Sequence, residues 1–455
     1  MNYRIFLLFI LLQLSARIEL FAQNAPAGQV KEVVKFSLEQ AQTYASENNY
    51  DLKNSSTDVE IARRMVKQNT AIGLPQVSGN IDYTNYLVIP TTMLPGEIQN
   101  KPAGTYIPVQ FGTPFNASLK ATITQLIYSG QYLVGLQTAK AFLETSKQKN
   151  VRDKVEVRDQ VADAYIRLLV VDEGIKILDS TYAVVSKLVE EAQKSYQAGL
   201  IEDIDVDQAD LNKSNLEATI TYTRNLRNVG YATLKFIIGL KDNQELVLTD
   251  NLDFFLAQVN RDALVNQQFD YNSNLDYVLL KKADYLTLMQ YKLSKTSYQP
   301  TLSGFLSGST AAQRNEWNFF NTKESWYPTA IFGVSMQIPI WSSGSRKYAV
   351  DQARLNVEKT KVTDEKMKVG LELQVATAKT DFSNAYAIYQ NKVKGFQTAL
   401  KIYEKTLAKY KQGMVGSTDL NQRYNQFLVT NSEYFQSIYT VLSQKIRLNK
   451  LLEKY

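Results

Sequence analysis

The 455-residue chain contains no cysteine and no histidine. The first absence removes disulfides and thiol chemistry; the second removes every imidazole base. Together they remove the usual zinc ligand sets. Carboxylates remain for acid–base work, but no pair of them sits in a recognisable catalytic motif. An enzyme is therefore not expected, nor a metal or cofactor. Beyond the N-terminus no apolar run reaches the 18 residues of a membrane-spanning helix. A bilayer crossing by this chain would fall to strands. There is no basic patch either: 51 basic and 45 acidic residues give a net charge of +6. They are spread along helical stretches, as on a solvated helix surface, so no nucleic-acid partner is expected.

Proline is missing from two long stretches, Gly130 to Gly199 and Gly344 to Gly413. The bounding glycines stand 214 apart in both cases, 130 against 344 and 199 against 413. Inside the first stretch, Val161, Ala164, Leu168, Val171, Ile175 and Leu178 open a series that reaches Tyr196 in steps of three and four. The same register returns from Val375 to Tyr410, interrupted only by Lys392 and Thr406. This is the heptad period that coils a helix around a neighbour, and the chain is a duplication. Each stretch, as one helix, makes a rod of about 100 Å.

Residues 1–22 read as an export signal. Arg4 supplies the positive start, Ile5 to Leu14 the apolar run, and Leu20-Phe21-Ala22 a cleavage end. After a polar lead-in, Phe36 to Ala71 reads as one helix, with Ser37 and Gln40 as a capping box and Gly73-Leu74-Pro75 as its stop. The period then changes from 3.6 to 2. Strands are expected at about 76–88 and 115–127, separated by a long Pro- and Gly-rich loop from Pro90 to Pro114. One face carries Val77, Ile81, Leu119 and Ile123; the other carries Ser78, Asn80, Lys120 and Thr122. Such strands fit a transmembrane barrel wall or a soluble sheet with one face on a core. The local pattern does not separate the two.

A long helix over about 130–197, a tip turn at 199–202 and a return helix to Gly239 complete a first structural repeat, 23–239. Gly174 inside the long helix permits a bend. A polar connector spans 240–260. The second repeat, 261–455, has strands at about 301–312 and 329–341, a long helix over 344–411 and a tip turn at 413–417. Trp317, Trp326, Tyr327 and Trp341 flank its strands, where an interfacial aromatic girdle or core aromatics would lie. Glu202, Asp203, Asp205, Asp207 and Asp210 crowd the start of the first return helix. They complement its macrodipole, or form an acidic ring where copies meet on an axis.

This layout resembles the TolC family of outer-membrane efflux channels. The resemblance is carried by Phe36-Ser37-Leu38-Glu39-Gln40-Ala41, by the steps Leu74-Pro75-Gln76 and Gln299-Pro300-Thr301, and by the tips Tyr196-Gln197-Ala198-Gly199-Leu200-Ile201 and Tyr410-Lys411-Gln412-Gly413-Met414-Val415. It implies a mostly α fold with a β-barrel membrane part: a homotrimer with a trimeric α-helical barrel and a 12-stranded transmembrane β-barrel in outer-membrane lipid. The helical cylinder would extend into the periplasm. It implies that the tips (Gly199, Leu200, Ile201, Gly413, Met414, Val415) dock a periplasmic adaptor coupled to an inner-membrane pump. A periplasmic gate is implied at Tyr410, Asp205 and Asp419. Val415 stands where the family pattern has an arginine, and Gln422 where it has a second inner aspartate. The alternative is an exported coiled-coil structural or adaptor protein without a pore. An adaptor would show one helical hairpin among small β domains, whereas this chain shows two hairpins, each preceded by paired amphipathic strands.

Overall fold

The computed structural model describes residues 32–241 and 243–452; the export-signal reading of 1–22 lies outside them. In chain order the first repeat comprises β1 (Glu32–Phe36), α1 (Leu38–Asn48), α2 (Tyr50–Ala71) and β2 (Gln76–Asn85). It continues with β3 (Thr91–Pro95), β4 (Tyr106–Gln110), β5 (Phe115–Ser129), α3 (Gly130–Gln197) and α4 (Asp203–Ile238). Between the repeats lie β6 (Gln244–Leu248) and α5 (Leu252–Ala257). The second repeat comprises α6 (Arg261–Val265), α7 (Leu275–Lys295), β7 (Thr301–Arg314), β8 (Tyr327–Gln337), α8 (Ser345–Lys411) and α9 (Ser417–Leu452).

The 68-residue α3 and the 67-residue α8 are unbroken, each about 100 Å long. Each pairs with its return helix, α3 with α4 and α8 with α9. The heptad positions lie at these contacts: Val161, Leu168, Val185 and Ala192 are buried on α3, and Val375, Ala378, Phe382 and Tyr403 on α8. The helix α3 runs through Gly174 without a break, and the ring of Phe435 packs 3.8 Å from where a Cβ on Gly174 would sit.

Two expectations change, and the connector gains a strand. Phe36 ends a strand, and the helix that follows is broken at Asn49, whose side chain accepts from Leu52 N and restarts the helix as α2. The connector carries a strand: β6 pairs in parallel with β1, Glu32 opposite Gln244 and Phe36 opposite Leu248. That ladder joins residues some 212 apart, which local periodicity cannot show. The loop from Pro90 to Pro114 folds on itself as an antiparallel hairpin of β3 and β4, Thr91 opposite Gln110.

Around β1 and β6 the chain is fastened to the middle of the shaft. Tyr165, fully buried, donates to Phe36 O at 3.0 Å and accepts from Asp250 N at 3.2 Å. Leu38 N donates to Asp250 Oδ2 at 2.7 Å. Asn49 Nδ2 donates to Ile237 O at 2.7 Å. At the end of α4, Gly239 takes a left-handed φ of 74° and lies so close to Asn48 that a Cβ would fall 2.3 Å from its carbonyl oxygen.

The four main strands form one antiparallel sheet in the order β2-β5-β7-β8. The register sorts its faces. Val77, Ile123, Leu306 and Phe332 form one cross-strand row, and two residues further along β2 Gly79, Ala121, Gly308 and Ala330 form the next on that face. The opposite face carries Asn80, Lys120, Ser309 and Thr329 in one row, with Phe305 and Ile331 as its main apolar exceptions. The apolar face is bare: Val77 is 73%, Ile81 81% and Phe332 77% exposed.

Candidate functional site

Two regions of the shaft invite a functional reading, its far tip and the sheet at its other end. At the tip the two hairpin turns share the same capping bonds. Gly199 and Gly413 each have a φ of 72°. Leu200 N donates to Ser195 O at 2.9 Å, and Met414 N to Lys409 O at 2.9 Å. Gly199 N donates to Tyr196 O, and Gly413 N to Tyr410 O. This double bond pattern is the Schellman cap, which requires a left-handed residue after the helix and so favours glycine there. Leu200, Ile204 and Met414 are left exposed at the very end, while Ile201 and Val415 are half-buried.

Asp205 and Tyr410 line one cleft between the hairpins, together with Leu200, Ile201, Gly413 and Val415. The same two residues line a smaller cavity behind it with Gln208, Asn212, Tyr403 and Tyr424. Burial, reinforced by the negative charge of Asp205, pushes the Tyr410 hydroxyl's pKa up, so it stays a proton donor. Among the described residues Asp205 and Tyr410 do not hydrogen-bond each other; Asp205 Oδ2 instead accepts from Glu202 N at 3.4 Å, closing a capping box at the start of α4. Asp203 accepts from Ile204 N. Two of the five acidic residues in this stretch thus serve backbone donors at a helix start. Asp419 lies outside the cleft, exposed in the first turn of α9, as is Gln422 one turn on.

Two features of the tip were not singled out from sequence. Lys411 Nζ lies 2.9 Å from Glu191 Oε2 and ties the second hairpin to the first. Above it, Tyr403 stacks on Phe427 at 5.4 Å and 10°, and meets Tyr424 at 5.7 Å. The three-residue step from Tyr424 to Phe427 was the available signal. The Tyr403 and Tyr424 hydroxyls are buried without a hydrogen-bond partner. Burial raises the Tyr403 pKa to about 12 and that of Tyr424 further.

At the other end, a sheet with one apolar face and one polar face normally lays the apolar face on a core. Among the described residues no element covers it. The outermost strands β2 and β8 each have one neighbour, so both sheet edges are unpaired among the described residues. An uncovered apolar face suits lipid, and unpaired edges suit strands of further copies. No described helix is long and apolar enough to cross a membrane. The sheet runs into the shaft without a linker: β5 ends at Ser129 and α3 begins at Gly130.

A fold of this kind, a sheet with a bare apolar face on a long helical shaft, is that of outer-membrane channels. CusC matches with a TM-score of 0.70 at 15% identity, covering 96% of both chains. CmeC of Campylobacter jejuni matches at 0.68 and 15%, covering 91% of this chain and 85% of that one. The open-state MtrE channel of Neisseria gonorrhoeae matches at 0.68 and 16%, covering 91% and 88%. In sequence, the outer membrane efflux protein model matches residues 286–453, most of the second repeat. Outer membrane protein TolC of Vibrio cholerae is 19% identical over 298 residues, 64% of this chain and 64% of that protein. The match thus spans just under two thirds of this curated relative's length. Residues 286–453 thus match the outer membrane efflux protein family, and the fold of the chain is shared with outer-membrane channels.

Proposed function

We propose that this protein is an outer-membrane efflux duct that passes small molecules or proteins from the periplasm and an inner-membrane pump to the outside. Three copies pair their sheets edge to edge, β8 of one with β2 of the next, into a twelve-stranded barrel whose polar face lines the pore. The helices continue the pore through the periplasm. The tips carrying Gly199, Leu200, Ile201, Gly413, Met414 and Val415 receive a periplasmic adaptor, which their exposed apolar side chains suit. Tyr410 and Asp205, which line one cleft without bonding each other in this structure, close on one another when the tip is shut, and Asp419 faces the axis below them. The adaptor's binding energy shifts the hairpins to an open arrangement by favouring it over the closed one. The observation that carries this reading is the bare apolar face of a sheet that runs directly into one helix of about 100 Å and, through residues 338–344, into a second.

Single-channel conductance of the purified protein in a planar bilayer tests the proposal, beside a Tyr410→Phe, Asp205→Ala double variant. Small discrete openings that grow in the variant are expected. A folded, assembled preparation that conducts in neither form would overturn the duct. Large conductance unchanged by the variant would keep the duct and reject this gate.

A further inference from the structure

The charge of the shaft is not evenly distributed. No Asp or Glu occurs in 61–81, 98–143, 285–315 or 325–350, the four segments where strands of the sheet meet helices. Basic residues do occur there. Lys67 is four residues before the end of α2, and Lys140 ten residues into α3. Lys292 and Lys295 close α7, and Arg346 and Lys347 open α8. All six lie within about 15 Å of the junctions along the helix axes. On α3 and α8 the side chains also lean towards the helix N-terminus, which here is towards the sheet. None of the six is ion-paired among the described residues; Lys295 instead lies over the ring of Tyr291, 4.6 Å from its centroid. Elsewhere on the shaft several basic side chains have acidic partners in the same chain. Lys411 pairs with Glu191, Lys392 with Glu433, and Lys450 with Glu156.

The apolar face of the sheet runs into this zone. Past β8 it continues through exposed Ile338 and Ile340 to Trp341, 90% and 82% exposed for the last two, and only a short turn separates Trp341 from Arg346. An amphipathic aromatic ring at the edge of an apolar surface sits at headgroup level. Cations just beyond it then stand at the depth of lipid phosphates. A set of like charges with no internal counter-charge is relieved by an anionic surface.

We propose that this collar binds the headgroups of anionic phospholipids in the periplasmic leaflet, with Lys292, Lys295, Arg346 and Lys347 as its centre. The inference rests on the membrane reading of the sheet. The collar fixes the depth at which the duct sits and gives it a preference for negatively charged lipid.

The test uses the assembled protein and its K292Q, K295Q, R346Q, K347Q variant. Each is mixed with phosphatidylcholine vesicles, or with vesicles containing phosphatidylglycerol, and floated at low and high salt. Lipid retained after detergent extraction is then read by native mass spectrometry. The unmodified protein should enter both vesicles and retain phosphatidylglycerol severalfold over phosphatidylcholine. The preference should fall with salt and disappear in the variant, which should keep its helical circular dichroism and its conductance. Insertion in both vesicles with equal retention of the two lipids, or a preference that survives the four substitutions, would overturn the collar and leave the duct standing. A variant with altered ion selectivity but unaltered lipid retention would also overturn it, by placing these cations in the pore. Failure of the unmodified protein to insert in either vesicle would instead overturn the membrane reading on which the collar depends.

Discussion

Gly199 and Gly239 share a left-handed φ, 72° and 74°, but not their surroundings. Nothing lies within 4 Å of a Cβ built on Gly199, whereas Gly239 would meet the carbonyl of Asn48 at 2.3 Å. A left-handed conformation costs a non-glycine residue about 1–2 kcal/mol. Gly199→Ala should lose about that much, confined to the tip. Gly239→Ala should lose more, because the backbone of the α1–α2 break must also move. Unfolding midpoints of the two purified variants compare them directly. Equal losses would mean that the approach of Gly239 to Asn48 carries no energy. Both glycines could be read in the sequence as helix stops. What could not be read is that one faces water and the other a backbone, because Asn48 lies far away in the chain.

The α8–α9 hairpin shows how an element's packing sets its response to pH. Tyr403 and Tyr424 are held neutral by burial, and the folded-state pKa of Tyr403 is about 12 against about 10 for a free tyrosine. A folded pKa above the unfolded one gives a contribution that is complete below about pH 10 and is lost as pH rises towards 12. Thermal stability of the hairpins should therefore fall steeply over that alkaline window. Tyr403→Phe removes a hydroxyl that has no partner, so it should be neutral or stabilising near pH 7 and should make the alkaline fall shallower. Circular dichroism melts across pH test both, and an unchanged alkaline slope would sink the assignment. The helices themselves were legible because the heptad and the 214-residue offset are local or periodic signals. The Asn49 break had a signal that went unused: Asn274, which caps α7, stands 225 residues on, the same offset as Pro75 to Pro300. The β1–β6 ladder had none, since its two strands are short and pair across the whole first repeat.

For the whole molecule, the sheet's edges matter more than any single side chain. The alternation of Val77 to Tyr83 and of Ala117 to Ile123 was plain in the sequence, but which medium met the apolar face was not. That followed only from the register, and from helices that run on along the shaft rather than folding back over the strands. With β2 and β8 each open on one side, proline at two adjacent positions of β8, such as Phe332 and Gly333, places one missing N–H on the open edge whichever way the strand faces. Such a chain should keep its helices but run as a monomer in mild detergent. An intact assembly of this variant, seen by size exclusion with light scattering, would reject edge pairing as the joint.

The same open edges carry a consequence for inheritance. A ring closed by strand pairing tolerates no defective link, because one broken joint opens the whole wall. For the three-chain ring proposed above, a cell making sound and edge-broken chains in equal amounts would by random assembly leave only about one ring in eight free of a broken link. A damaged copy of this chain should therefore be dominant over an intact one, unlike a damaged copy of a protein that works alone.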